Sequence, residues 1–423
     1  MFKFLHAADI HLDSPLRGLD RYDGCPVEEI RGATRKALDQ LVRLAVAERV
    51  AFVLIAGDVY DGDWPDHGTG LFFARKMAEL KDVRIPVYLI SGNHDAKNKM
   101  TRELRLPDGV HLLSSGRAET LHLPAVDVAI HGQSFATEKV SEDLAASYPP
   151  PTAGCFNVGL LHTSADGREG SGRYAPCSVE TLRGKGYDYW ALGHVHTREE
   201  VPARDVPIVF PGNVQGRHIR EPGAKGCVVV AVDDRGSTTR AFHALDVLRW
   251  ATCRVDAAAI TSADDVATAF EDLIPELVAE ADGRSLAVRI EIVGQSPAHS
   301  GISAAHEQIT LDIQAAANDA GSGRVWVEKV RFLTRGGTSA GDMASFDGPL
   351  GEIDRLLAEL RDDPALLAKY AEAELGDLRK KLPAELKEAD GPDLASPAGL
   401  LEILNHVRPL LDDRFQVARG AKS

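Results

Sequence analysis

Through the first 210 residues, short apolar runs alternate with amphipathic stretches. Residues 2–8 form an apolar run that predicts a strand. Residues 28–49 carry Ile30, Ala37, Leu41 and Leu44 at helical spacing. The run AFVLIA at 51–56 predicts a buried strand ending in Gly57-Asp58. Residues 71–81 predict a helix, and 85–90 a strand ending in Ser91-Gly92. Apolar runs at 126–131, 156–162, 187–192 and 206–210 predict further strands on shorter connections. Alternation at the start is the pattern of βαβ units, and the later strands point to a second sheet packed on the first.

The character changes near residue 247. A strand is predicted at 250–255, an amphipathic helix at 263–281 and a strictly alternating strand at 286–293. A polar, helix-compatible stretch and a strand at 324–333 complete a unit the size of a small α+β domain. Past a Gly-rich linker at 335–341 the chain is charged and helical, with helices expected at 350–360, 365–382 and 397–411. The expected division is 1–248, 249–336 and 345–423, with no internal repeat.

Composition adds bounds. With 44% hydrophobic and 26% charged residues over 423 positions, the chain reads as a soluble globular protein of two or three domains. No apolar stretch of about 18 residues exists, so no membrane span is expected. The N-terminus MFKFLHAADIHLD lacks the apolar core of a secretory signal. Cys25, Cys155, Cys177, Cys227 and Cys253 form no CxxC pair, which suggests reduced thiols and a cytoplasmic location. A net charge of −15 argues against coating nucleic acid by charge alone, yet does not exclude a nuclease.

The chemistry lies where His, Asp and Asn fall. Asp9 and His11 follow the first strand as D-x-H, Asp58 the second as G-D, and Asn93, His94 and Asp95 the third as G-N-H-D. His162 ends a later strand, and His194 and His196 follow the next as G-H-x-H. Each cluster sits at the C-terminal end of a strand, where an open α/β sheet gathers ligands. Carboxylate, imidazole and amide oxygen together suit borderline divalent metals. Seven such ligands with one shared carboxylate fill two four-ligand sets, the arrangement that clamps an in-line displacement at phosphorus.

In order and spacing these motifs resemble the calcineurin-like metallophosphoesterase superfamily over roughly residues 1–245. The resemblance implies a two-sheet αββα sandwich of class α/β, followed by the small α+β domain and a helical tail. It implies Asp9, His11, Asp58 and His196 on a first metal, and Asp58, Asn93, His162 and His194 on a second, with Asp58 bridging. His94 would assist the leaving oxygen and Asp95 would orient His94. Purple acid phosphatases are a poorer match, since their G-D-x-x-Y would need Tyr where Asp61 stands.

HAADIHLDSPLRGL at the start and PGNVQGRH at 211–218 resemble SbcD-like DNA repair exonucleases, in particular their bacterial YhaO branch. That resemblance implies a Mn²⁺-dependent DNA phosphodiesterase with a DNA-capping domain after residue 249. It also implies C-terminal helices that dock on an SMC-like, ABC-type ATPase, and a homodimer. The stripe Leu350, Ile353, Leu356, Leu357 and Leu360 would serve docking or pack on its own chain. At Asp61 some relatives resemble a second His near the leaving group. Arg17 and Arg217 are the expected DNA contacts, with Arg220, Lys225, Lys97 and Lys99 as weaker candidates. His6, His111, His122, His131 and His218 are expected not to be ligands. A metallophosphoesterase acting on nucleotides, small phosphodiesters or phosphoproteins is the alternative. An adaptor without activity would be expected to show degenerate ligand motifs.

Overall fold

The computed structural model describes residues 1–16, 32–61, 68–97, 106–167, 174–336 and 349–381, with single positions between 394 and 407. The expected contacts Arg17 and Lys99, and Cys25, lie outside the described residues. The chain begins β1 (Phe2–Ala7), α1 (Ala33–Ala47), β2 (Phe52–Ala56), α2 (Gly68–Asp82) and β3 (Val87–Ile90). The short helix α3 (Asn93–Lys97) and β4 (Val110–Leu112) follow. Next come β5 (Glu119–Leu123), β6 (Val128–Gly132), β7 (Phe156–His162), α4 (Val179–Gly184) and β8 (Tyr189–Gly193). After β9 (Glu199–Val201) and β10 (Ile208–Phe210), the hairpin β11 (Gly226–Val232) and β12 (Thr238–Ala244) closes this part.

Two six-stranded sheets result, ordered β12-β11-β1-β2-β3-β4 and β5-β6-β7-β8-β10-β9. β1, β2 and β3 pair in parallel, with Leu5 opposite Val53 and Ile55 opposite Leu89, while β11 joins β1 antiparallel. Both faces of these strands are buried, which is why they read as continuous apolar runs. Leu5, Ala7, Val53 and Ile55 face α1 and α2. Phe4, Phe52, Leu54, Val158 and Tyr189 fill the space between the sheets, where the Phe4 and Phe52 rings stack at 5.0 Å. The outer face of the second sheet packs Trp190, Leu192 and Phe210 against α4 and irregular segments. The fold is mixed α/β with two main sheets, as expected.

His6 joins the two sheets. It sits wholly buried on β1, with Nε2 donating to the Leu192 carbonyl and Nδ1 accepting from the Tyr189 hydroxyl, both at 3.1 Å. Burial pushes its imidazole down to about 3, well below the ordinary histidine range, only partly offset by the bond to Leu192. The folded state therefore stays neutral where the unfolded chain takes up a proton. This contribution is complete above about pH 6.5 and is lost toward pH 3, at about 1.4 kcal/mol per pH unit. Urea unfolding at pH 7 and pH 5 is expected to show His6→Gln losing about 2 kcal/mol less than wild type. Equal losses would refute this account.

The third sheet has β13 (Leu248–Asp256), β14 (Ser285–Ser296) and β15 (Val325–Gly336) in that order. The helix expected over 263–281 is two, α5 (Asp265–Glu271) and α6 (Ile274–Glu280). Pro275 sits in the first turn of the second. In one continuous helix it would lack a donor and clash with the Glu271 carbonyl. Helices α7 (His299–Ala304) and α8 (His306–Ala320) precede β15, and α9 (Pro349–Asp362) and α10 (Pro364–Lys381) follow it. By internal contacts the chain divides into Met1–Cys253 with Glu271–Ile290 and Gln314–Val330, and Arg254–Phe270 with Glu291–Ile313 and Arg331–Ser423. In the second unit Leu357, Leu360, Leu367 and Ala371 bury together with Leu400 and Leu404. Part of the apolar stripe of α9 thus packs on its own chain, while Leu356, Tyr370 and Leu378 stay exposed. No described helix is long and apolar enough to cross a membrane. None of the four described cysteines forms a disulfide.

Candidate metal centre

The segment after β1 runs alongside the segment after β2. Asp9 N donates to the Gly57 carbonyl at 3.0 Å, His11 N to that of Asp58 at 3.1 Å and Leu12 N to that of Val59 at 2.9 Å. This brings the D-x-H and G-D motifs together. Asp9, His11 and Asp58 adopt left-handed φ values of 51°, 45° and 50°, and His194 has φ 99°. Such backbone costs of order 1–3 kcal/mol per residue and persists only where its surroundings impose it. Close packing imposes it here. A Cβ on Gly92 would stand 2.3 Å from Asp58 Oδ1, and one on Gly193 would stand 1.9 Å from the Ala56 carbonyl oxygen.

All seven expected ligands gather at this edge, four from the first sheet and three from the second. Asp9, His11 and His196 offer ligand atoms within 4.8 Å of one another, as do Asp9, Asp58 and His162. Asn93 Oδ1 lies 3.1 Å from His162 Nε2. Asp58 Oδ2 stands between the sets, 3.9 Å from His11 Nε2 and 3.5 Å from His162 Nε2. His194 donates its backbone N–H to Asp9 at 2.9 Å, and its ring packs edge-on against His162. His162 lies 2.9 Å through Nδ1 from the Ala56 carbonyl, which must be met by an N–H and so turns Nε2 inward.

The donor set fits divalent metals. His11 Nε2 and His196 Nε2 face each other at 3.2 Å. Glu221 Oε1 lies 2.7 Å from His196 Nδ1 and, being a carboxylate, can only accept. Nδ1 therefore holds the proton and Nε2 aims a lone pair at His11. Two carboxylates, Asp9 and Asp58, are each 1% exposed in the same space. Burial raises Asp9, whereas at Asp58 the pull of His162 and His11 outweighs burial and holds the carboxyl well below its usual range. Burial alone would lower His162, yet the Asp58 and Asp9 charges push it up to about 9. A cluster of inward lone pairs and buried negative charge calls for cations.

His94 lies in the first turn of α3 at the solvent side of the centre, its side chain 29% exposed. Its backbone N–H reaches Asp58 Oδ1 at 3.0 Å. The expectation for Asp95 needs correction. That carboxylate accepts from the N–H groups of Tyr60, Gly92 and Val59 at 2.9, 3.1 and 3.2 Å, tying the second and third motifs together. The carboxylate beside His94 Nδ1 is Asp61, at 3.1 Å, and Asp61 also takes the Ser14 hydroxyl at 2.6 Å. Burial opposes its ionisation, but bonds from His11 and His94 hold Asp61 far below the carboxylate range.

Arg217 and Lys225 are likewise placed differently from expectation. Arg217 is turned inward, with Nη2 donating to Glu221 Oε1 at 3.0 Å and Nη1 3.4 Å from Asp61 Oδ1. Lys225 is 5% exposed and donates to the His196 carbonyl at 2.8 Å. The loop bearing Arg217 is pinned by Trp250 Nε1 on the Gly216 carbonyl at 2.9 Å and by Gln215 Nε2 on that of Leu248 at 2.6 Å. Arg220 is exposed and Lys97 pairs with Glu138 at 3.5 Å. Glu221 is the site residue that sequence reasoning missed. His131, satisfied by Thr120 at 2.8 Å and Asn157 at 3.0 Å, stands apart from the centre, as does His6.

Comparisons with known proteins agree with this geometry. The calcineurin-like phosphoesterase profile matches residues 2–198, and a profile for the middle domain of metallophosphoesterase YhaO matches residues 250–335. An uncharacterized metallophosphoesterase, YhaO of Bacillus subtilis (strain 168), is 33% identical over 300 residues, covering 70% of this chain and 72% of that one. A solved dimetal phosphatase from Danio rerio is 14% identical over 57% of this chain and 99% of its own, with a TM-score of 0.36, too loose a likeness to argue from. The chain belongs to the calcineurin-like metallophosphoesterases, a superfamily of hydrolases that use divalent metals on phosphoesters.

Proposed function

We propose that the chain is a Mn²⁺-dependent DNA phosphodiesterase that degrades DNA from its ends in repair. The observation that carries the hydrolytic part is the convergence of Asp9, His11, Asp58, Asn93, His162, His194 and His196 beside the partly exposed His94. Bound divalent metals supply Lewis acidity and a hydroxide at neutral pH. The protein's own part is to orient the phosphate and to protonate the departing sugar oxygen from His94. Asp61 holds Nδ1 of that ring and leaves Nε2 for the substrate. DNA as substrate is supported by the resemblance of HAADIHLDSPLRGL and PGNVQGRH to SbcD-like exonucleases, and by the added domain after residue 249. Arg17 is the basic residue proposed to meet the DNA backbone. We place the protein in the cytoplasm as a homodimer that works with an SMC-like ATPase. Leu356, Tyr370 and Leu378, exposed on the C-terminal helices, are available for docking it.

The test is digestion of end-labelled linear duplex DNA in Mn²⁺, beside bis(p-nitrophenyl) phosphate. Stepwise shortening of the duplex is expected. Cleavage of the small diester with duplex and single strands both intact would reject DNA and favour a nucleotide or small-phosphodiester substrate.

A further inference from the structure

His196 and His94 follow strands of different sheets, and a buried chain of charge joins them. Glu221 Oε1 takes the Nδ1 proton of His196 at 2.7 Å. Arg217 Nη2 stands 3.2 Å from that same nitrogen, which, already donating its proton to Glu221, offers no lone pair, so Nη2 donates instead to Glu221 Oε1 at 3.0 Å. The other arm of the guanidinium, Nη1, faces Asp61 Oδ1 at 3.4 Å, and Asp61 Oδ1 is 3.1 Å from His94 Nδ1. Glu221 cannot swing away, because its second oxygen accepts from Arg217 N at 2.7 Å and from Asn213 Nδ2 at 2.9 Å. Side-chain exposures of 5% for Glu221 and 13% for Arg217 keep water from screening these bonds. A planar guanidinium can direct separate N–H groups at two carboxylates at once, which a lysine ammonium on its flexible stem does far less well.

We propose that Glu221 and Arg217 are positioning residues that act as one bridge. Glu221 fixes His196 as the Nδ1–H tautomer, so that Nε2 is presented as a ligand lone pair. Arg217 couples that ligand to the Asp61–His94 pair, so that both are set by one guanidinium plane. The proposal rests on phosphoester hydrolysis at this centre and is independent of DNA as the substrate.

Full-length Glu221→Ala, Glu221→Gln and Arg217→Lys proteins test it through three readouts. These are ¹⁵N shifts of the His196 ring in metal-free protein, Mn²⁺ affinity by calorimetry, and turnover of diesters with leaving groups of graded basicity. Glu221→Ala is expected to lose the Nδ1–H preference and to bind Mn²⁺ about 10–100-fold more weakly. Glu221→Gln, whose amide oxygen still accepts from Nδ1–H, is expected to keep the tautomer and restore most of the affinity. Arg217→Lys is expected to lower kcat with KM little changed, the loss growing with the basicity of the leaving group. It keeps the charge, so the test stands even where Glu221→Ala does not fold. A folded Glu221→Ala with unchanged His196 tautomer and Mn²⁺ affinity would overturn the proposal. So would an Arg217→Lys loss equal across leaving groups. Wild-type protein inactive on every diester would instead refute the hydrolytic reading, while the tautomer and affinity arms still decide the bridge.

Discussion

Replacing Asp58 with alanine is expected to abolish paired metal binding and to lower diester turnover by about 10³-fold or more, the scale of several kcal/mol of lost charge stabilisation. Its Oδ2 faces both His11 and His162, at 3.9 and 3.5 Å. Its Oδ1 meanwhile holds the backbone N–H that opens the His94 helix. Losing it removes the carboxylate that His11 and His162 share and leaves Asp9 and His162 alone in the Asp9–Asp58–His162 group. Metal content by mass spectrometry, together with turnover of bis(p-nitrophenyl) phosphate, checks the result. Two metals per chain in the variant would rule out a bridging Asp58.

His94→Ala is expected to separate binding from chemistry. The ring comes within 4.8 Å of ligand atoms of His11 and Asp58, but its Nδ1 faces Asp61 at 3.1 Å and all seven expected ligands remain in the variant, so metal content should persist. Turnover should fall about 10²–10⁴-fold, the usual worth of a positioned proton donor. The deficit should be greatest for basic leaving groups and smallest for p-nitrophenolate, which leaves without a proton. Turnover at the wild-type rate, or loss of both metals, would contradict this role.

Much of the centre was legible in the chain because each ligand motif ends a short apolar run, and a strand's end has a known place in an open sheet. The partners were less legible. Asp95 follows His94 directly, which made it the natural candidate to orient that ring. Neighbouring residues on a helix point in different directions, however, and the role goes to Asp61, 33 positions earlier, across the meeting of two loops. Glu221 stands 25 positions from His196 and reaches it only because the loop after β10 folds back under Trp250. No local pattern encodes such a path. The hairpin of β11 and β12 is a different case. Its run Cys227–Val232 had a plain strand signature, but it bears no ligand and so escaped a reading centred on motifs. Pro275 likewise announced the break between α5 and α6.

The division of the ligands between the sheets has a consequence for variation far from the centre. Asp9, His11, Asp58 and Asn93 ride on one sheet and His162, His194 and His196 on the other, with Phe4, Phe52 and Tyr189 packed between. The spacing of the two layers is therefore a coordinate of the reaction. An aromatic-to-aliphatic exchange in that interior, invisible in any alignment of ligand motifs, would change the span over which metals are held. Interior volume becomes a means of tuning metal preference and rate without touching a single ligand.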